Sequence, residues 1–227
     1  MKKERAENKI TKHINVLKKD YVLRTFIFST LSFFVNVIFM GYNIVLSIVY
    51  KSAWNIGISV YYALLAVIRA YVLFYERKLY KLNVDDEQKD VARKKMFFVQ
   101  SVFLFIIDVA LIAPISIMVL QKKEIHYTII PAIAMAGYTT YKIISAGINY
   151  KKTRKQQHLS IRILKNINFI DALVSVLTLQ YTLIMTFGKG INGSMLTLCA
   201  ISSFALWSLI IVVSVLSVIE AIKLKRR

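Results

Sequence analysis

Long apolar stretches alternate along this 227-residue chain with short basic segments, and the positive charge is distributed very unevenly between those segments. Of the 31 Lys and Arg residues, 25 fall in every second segment: 8 in 1–24, 7 in 76–95, 6 in 151–165 and 4 in 223–227. The three connections that alternate with these four segments contain only 1, 2 and 1 Lys or Arg residues. Because basic residues stay on the cytoplasmic side during insertion, the pattern predicts a polytopic membrane protein with both termini cytoplasmic.

The apolar stretches are long enough to cross a bilayer, which takes about 20 residues for about 30 Å of hydrocarbon. Residues 25–222 contain six of them: 25–49, 54–75, 96–120, 128–149, 167–187 and 195–222. Short connections join them in pairs on the side that carries little charge. The sequence therefore predicts an all-α fold, a single domain of six transmembrane helices arranged as three hairpins.

The two ends of the chain are basic. In residues 1–24, apolar side chains recur at helical spacing at Ile10, Ile14, Leu17 and Tyr21, with lysines between them. This pattern predicts a short amphipathic helix at the cytoplasmic membrane surface. Residues 223–227 form a basic cytoplasmic tail. We expect the protein in the plasma membrane of a bacterium.

A net charge of +19 raises the question of a nucleic-acid partner, but the context of the charge argues against one. The basic residues lie beside hydrophobic ends, where anionic lipid headgroups supply the opposite charge. We expect the lipid bilayer and its anionic lipids at the cytoplasmic face as partners, and no nucleic acid. A cytoplasmic or membrane protein partner and a homo-oligomer both stay open.

Four ionisable residues lie well inside the predicted spans: Arg69, Asp108, Lys142 and Asp171. Such residues are costly in hydrocarbon and mark sites that bind or conduct ions and solutes. The structural alternative is two neutralising pairs that only fix helix register, and for these we predict Asp108 with Lys142 and Asp171 with Arg69. Arg69 could also extend to the inner headgroups. The other candidates for ion or solute binding share a polar side chain on a polar face of a predicted span: Asn36, Tyr62, Ser175, Thr178 and Thr182.

Hydroxyl stripes have two interpretations, because Ser and Thr also allow close helix packing in lipid. The leading hypothesis is a small transporter or channel-like protein that moves an ion or small solute through a polar bundle interior. The alternative is a non-transporting membrane subunit or scaffold that binds a cytoplasmic partner or anionic lipid through its basic inner face.

Sequence motifs give no indication of catalysis. His13, His126 and His158 are widely separated and lie outside the spans, and Cys199 is the single cysteine. Metal and nucleotide motifs of the HExxH, GxGxxG or Walker type do not occur. We therefore expect no enzyme activity, no metal site and no cofactor.

Overall fold

A computed structural model of the chain describes residues 29–81, 85–120, 127–153, 159–187 and 193–226. The predicted amphipathic helix in residues 1–24 lies outside the described residues. All regular secondary structure in the described residues is α-helical, which confirms the all-α prediction.

The described residues contain seven helical segments in succession. They are α1 (Ser29–Tyr50), α2 (Ala53–Lys81), α3 (Asp86–Ala110), α4 (Ile112–Leu120), α5 (Ile129–Thr153), α6 (Leu159–Phe187) and α7 (Gly193–Arg226). Several of them are longer than the apolar stretch that predicted them. The α3 helix begins ten residues before predicted span 96–120, because a helix can continue into water beyond the apolar stretch. The α7 helix likewise includes most of the predicted tail 223–227.

Five helices of the described chain are long and apolar enough to cross a membrane: α1, α2, α3 together with α4, α6, and α7. Helix α5, which corresponds to predicted span 128–149, is not among them, since Lys142 lies in its middle and Lys151 and Lys152 near its end. Large apolar side chains of α1 such as Phe34, Ile38 and Ile48 are 57%, 68% and 71% exposed. Such surfaces are compatible with a lipid environment.

The third span is interrupted at Leu111, which separates α3 from α4. Pro114 lies three residues further on and cannot donate a backbone hydrogen bond to the preceding turn. The two segments nevertheless remain linked, since the Leu111 amide donates to the Ile107 carbonyl at 3.2 Å. The interruption is therefore a proline kink within one rod.

Packing divides the bundle into two main helix pairs. Helix α5 packs most extensively along α6, and α3 packs most extensively along α7. Helix α2 contacts α3, α4 and α6, so it joins the two pairs. The core between them is built from fully buried side chains, including Ile58, Leu65, Leu104, Ile170 and Val174.

Candidate functional site

A buried carboxylate lies between two basic side chains in the interior of the bundle. Asp171 Oδ2 on α6 forms ion pairs with Arg69 Nη2 on α2, at 3.2 Å, and with Lys142 Nζ on α5. The Asp171 and Arg69 side chains are 0% exposed and Lys142 is 4% exposed. Charged groups at this depth require partners. The predicted pairing of Asp171 with Arg69 is confirmed.

Asn36 on α1 completes the contacts around Lys142. Its Nδ2 donates to Asp171 Oδ2 at 3.1 Å, and its Oδ1 accepts from Lys142 Nζ at 2.5 Å. The Tyr138 hydroxyl also donates to this Oδ1, at 3.3 Å. Lys142 Nζ lies 5.2 Å from the centre of the Tyr138 ring, a cation–π distance. Three helices, α1, α2 and α5, thus supply the donors around one carboxylate oxygen of α6.

Arg69 is held by neutral oxygens as well as by Asp171. Its Nη2 donates to Asn168 Oδ1 at 2.7 Å, and its Nη1 donates to Ser32 Oγ at 2.5 Å. Two buried atoms of this region, Arg69 Nε and Asp171 Oδ1, have no hydrogen-bond partner among the described residues. We call the whole set the central cluster: Ser32, Asn36, Arg69, Tyr138, Lys142, Asn168 and Asp171.

Asp108 lies in a separate polar group on the α3 side of the bundle. Tyr61 OH donates to Asp108 Oδ1 at 3.0 Å, and Ser214 Oγ donates to Asp108 Oδ2. At the kink, Trp207 Nε1 donates to the Asp108 backbone carbonyl at 3.0 Å. Within the described part of the chain no basic residue forms an ion pair with this carboxyl. We call these four residues the Asp108 cluster.

The predicted pairing of Asp108 with Lys142 is wrong. Lys142 contacts Asp171 instead, so one acid has two basic partners and the other has hydroxyl partners. The reason is the order of packing, because α5 lies along α6 whereas α3 lies along α7. The number of residues between a side chain and the end of its helix gives its depth in the membrane. It does not give its neighbours on other helices.

Tyr62 lies between the two clusters and is fully buried. Its ring makes edge contacts with the Tyr61 ring, at 6.1 Å between centres, and with the Tyr138 ring, at 6.4 Å. Tyr61 belongs to the Asp108 cluster and Tyr138 to the central cluster. An aromatic path therefore connects the two buried carboxyl groups.

The hydroxyl stripe of α6 is buried within the protein. Ser175, Thr178 and Thr182 are 0%, 1% and 2% exposed. Each hydroxyl donates to a carbonyl of its own helix, Ser175 to Ala172 at 2.7 Å and Thr178 to Val174 at 2.9 Å. Thr182 repeats the pattern one turn further along. Hydroxyls satisfied in this way are compatible with close helix packing as well as with a polar path.

Polar contacts lie on both sides of the central cluster along α2 and α6. On one side, Asn55 Nδ2 donates to Tyr127 OH at 2.7 Å, and the Ser52 and Tyr181 hydroxyls lie 3.0 Å apart. We call these four residues the tyrosine layer. Asn55 precedes Arg69 by 14 residues, which corresponds to about 21 Å along a helix.

On the other side, Glu76 joins α2 to α3 and α6. Its Oε1 accepts from Arg93 Nε at 3.0 Å and from Ser160 Oγ. We call these three residues the Glu76 layer. Glu76 follows Arg69 by seven residues, about 10 Å along α2. The central cluster is therefore enclosed between two polar layers.

Several contributors to these groups carry little signal in the sequence. Asn168 and Ser32 lie on polar helix faces, so the stripe pattern contains them. Ser214 is one of several serines in the apolar helix α7, which is typical of simple packing. Glu76 and Ser160 lie beside the charged connections, where a polar residue is unremarkable in sequence. Only helix packing reveals that Glu76 is 6% exposed and bonded to two neighbouring helices.

Comparisons with protein-family profiles, with curated proteins and with solved structures find no match for this chain. In the described residues, no group of three or more His, Cys, Asp or Glu side chains is arranged to hold a metal ion. The geometry of the buried clusters is thus the basis for a functional assignment.

Proposed function

We propose that this chain is a small membrane transporter or channel-like protein that moves an ion or small solute through the polar interior of its bundle. The observation that carries the proposal is the central cluster. Arg69, Lys142 and Asp171 come from three helices and meet around one carboxylate oxygen with almost no solvent exposure. Ionisable residues buried at membrane depth are the usual components of ion and solute sites.

The proposal includes six crossings with both termini cytoplasmic. Helix α5 then crosses the membrane despite its lower hydropathy. Its one central charge, Lys142, is covered by α6 and α1 through contacts with Asp171 and Asn36. Its other lysines follow at the end of the helix, beyond the apolar stretch. In this arrangement the 25 clustered basic residues face the cytoplasm.

The two layers beside the central cluster support the transport proposal. The tyrosine layer and the Glu76 layer close α2 against its neighbours above and below Arg69. A buried binding site that is closed at both ends is the occluded form expected of alternating access. In the proposed orientation the tyrosine layer is the outer one and the Glu76 layer is the inner one.

A second candidate function is a non-transporting subunit or scaffold with no catalytic role. The observation in its favour is the α6 stripe, because Ser175 and Thr178 donate to carbonyls of their own helix. Hydroxyls satisfied internally need no water-filled path. In that case the ion pairs only fix the register of the helices, and the basic inner face binds anionic lipid or a partner.

Water access along α6 separates the two functions. We would replace Cys199 by Ser, which leaves a chain without cysteine, and introduce single cysteines at Ser175, Thr178 and Thr182. Each variant is treated in membranes with a membrane-impermeant thiol reagent that requires water. Leu183, which is 39% exposed on the same helix, is the matched lipid-facing control.

Labelling at any of the three positions, with no labelling at Leu183→Cys, supports a hydrated path. It would be followed by flux measurements on Asp171→Asn in proteoliposomes. Absence of labelling at all three positions in folded protein, from both sides of the membrane, contradicts the transport proposal. It would favour the scaffold function, which predicts a dry interior.

A further inference from the structure

The charges of the central cluster do not balance. Arg69 and Lys142 face a single carboxylate, that of Asp171, and all three are at least nine-tenths buried. In the part of the chain that the structure describes, no second acid forms an ion pair with either base. With every group ionised the cluster has a net charge of one positive unit. An uncompensated charge at this depth is strongly unfavourable.

The hydrogen bonds of Lys142 Nζ can be donated by a neutral amine as well as by an ammonium group. A neutral amine has two N–H donors and an ammonium group has three. Within the described chain, Lys142 Nζ has two hydrogen-bond acceptors, Asp171 Oδ2 and Asn36 Oδ1. The remaining neighbour is the face of the Tyr138 ring at 5.2 Å, which does not compensate a full charge. A third N–H would therefore be available to an additional acceptor.

Arg69 offers another donor. The guanidinium keeps its charge in proteins, and Arg69 Nε is buried without a hydrogen-bond partner among the described residues. Among the described residues, the central cluster thus has two donors that lack an acceptor. Arg69 Nε is always available, whereas the third N–H of Lys142 exists only when Lys142 is protonated. Both are suited to an acceptor that carries negative charge.

Lys142 is the group whose charge can change. The titratable groups that face it are Asp171 from α6, Arg69 and Tyr62 from α2, and Tyr138 from its own helix. Asp171 Oδ2 accepts from three donors. Helix α1 contributes Asn36, which does not titrate. Two routes to a neutral cluster follow: loss of the Lys142 proton, or entry of an anion.

We propose that the central cluster binds a small monovalent anion together with one proton, which is taken up by the lone pair of Lys142 Nζ. The empty and the occupied cluster then both carry no net charge. The inference rests on the proposed transport function, and it names the substrate class as a small anion such as chloride, nitrate or formate. It also predicts electroneutral movement of the anion with a proton.

The test is calorimetric titration of the purified full-length chain with sodium nitrate, using sodium gluconate at equal ionic strength as the control. Titration in two buffers of different ionisation enthalpy gives the number of protons taken up per anion bound. We expect about one proton per nitrate and no binding of gluconate, which is a much larger anion.

Two variants make the test specific. Lys142→Met leaves Arg69 and Asp171 as a neutral pair, so we expect no proton uptake and a loss of nitrate affinity of at least about 30-fold. Asp171→Asn leaves a positive cluster even when Lys142 is neutral. We expect this variant to bind nitrate at least as tightly as the wild type, with proton uptake close to zero.

A purely structural role of the ion pairs predicts no nitrate binding in any of the three proteins, and that result overturns the inference. Nitrate binding without proton uptake by the wild type, or equal binding by Lys142→Met, also overturns it. Cooperative thermal unfolding shows that each variant is folded. If the α6 cysteines are labelled but nitrate does not bind, the anion proposal alone is refuted. If the cysteines are not labelled and nitrate does not bind, the transport function is refuted as well.

Discussion

Gly57 on α2 is in direct contact with the ring of Pro114 on α4. A Cβ atom placed at Gly57 would lie 2.7 Å from Pro114 Cβ and 3.3 Å from its Cγ. The proline ring cannot rotate away, so this close approach depends on the missing side chain. The contact places the kinked rod of α3 and α4 against α2, the helix that carries both Tyr61 and Arg69.

Replacement of Gly57 by Ala should therefore destabilise the protein, although Ala is the better helix former. Overpacking of this kind costs about 1–3 kcal/mol. The matched control is Gly137→Ala on α5, where a Cβ would meet nothing within 4 Å. Its stability should stay the same or rise by up to about 1 kcal/mol.

The measurement uses Cys199, which is the single cysteine and is 6% exposed. A thiol-reactive fluorophore should react with it only as the protein unfolds, which gives a melting temperature in detergent. Equal melting temperatures for Gly57→Ala and Gly137→Ala would contradict the close approach of α2 and α4.

Removal of the Asp171 carboxylate should be strongly destabilising, and a second substitution should relieve the effect. Asp171→Asn leaves the Arg69 guanidinium buried without its counter-ion, at a cost of about 3–5 kcal/mol. Addition of Arg69→Met removes that positive charge and should recover part of the loss. Thermal unfolding of the single and double variants gives the coupling energy between the two residues. Additive losses would show that Asp171 does not compensate Arg69.

Asp108 should respond differently, because its partners are hydroxyls. Asn at position 108 retains one acceptor and adds a donor, and the hydroxyls of Tyr61 and Ser214 can reorient to accept. We expect Asp108→Asn to change stability by less than about 1 kcal/mol. Asp108→Leu leaves both hydroxyls without an acceptor, at a cost of about 1–3 kcal/mol for each. Unfolding curves of Asp108→Asn and Asp108→Leu, compared with that of Asp171→Asn, test whether the two carboxyl groups differ in this way. An equal loss of stability in Asp108→Asn and Asp171→Asn would contradict the prediction.

Two ion pairs of the described chain offer a comparison between a buried and an exposed contact. Glu76, with a 7% exposed side chain, accepts from Arg93 at 3.0 Å and from Ser160. Glu220 pairs with Arg162 at 2.6 Å, but these side chains are 41% and 48% exposed. The second pair lies near the proposed cytoplasmic ends of α6 and α7, where water and headgroups can reach it, so Glu220→Gln should cost less than about 1 kcal/mol.

Glu76→Gln removes the charge from two buried hydrogen bonds between helices, and it should cost about 1–3 kcal/mol. Melting temperatures at low and high salt provide the check. The small effect of Glu220→Gln should fade in high salt, and the effect of Glu76→Gln should persist. A reversed order of the two effects would contradict the burial of the Glu76 layer.

The prediction of helices from apolar stretches succeeded for a simple physical reason. A helix satisfies its backbone hydrogen bonds internally, so an apolar stretch of about 20 residues fixes a local structure without reference to the rest of the chain. The prediction was weakest for α5, where Lys142 lowers the hydropathy and the charge is neutralised only by residues of other helices.

The sequence by itself determined the all-helical fold, the apolar helices and the presence of four buried ionisable residues. Tertiary structure alone decided which of them meet. Arg69, Lys142 and Asp171 converge because α5 packs along α6 while α2 crosses beside them, whereas Asp108 lies with Tyr61 and Ser214 at the α3–α7 side. Helical periodicity gives the face and depth of each side chain, and only the packing of the helices gives its partner.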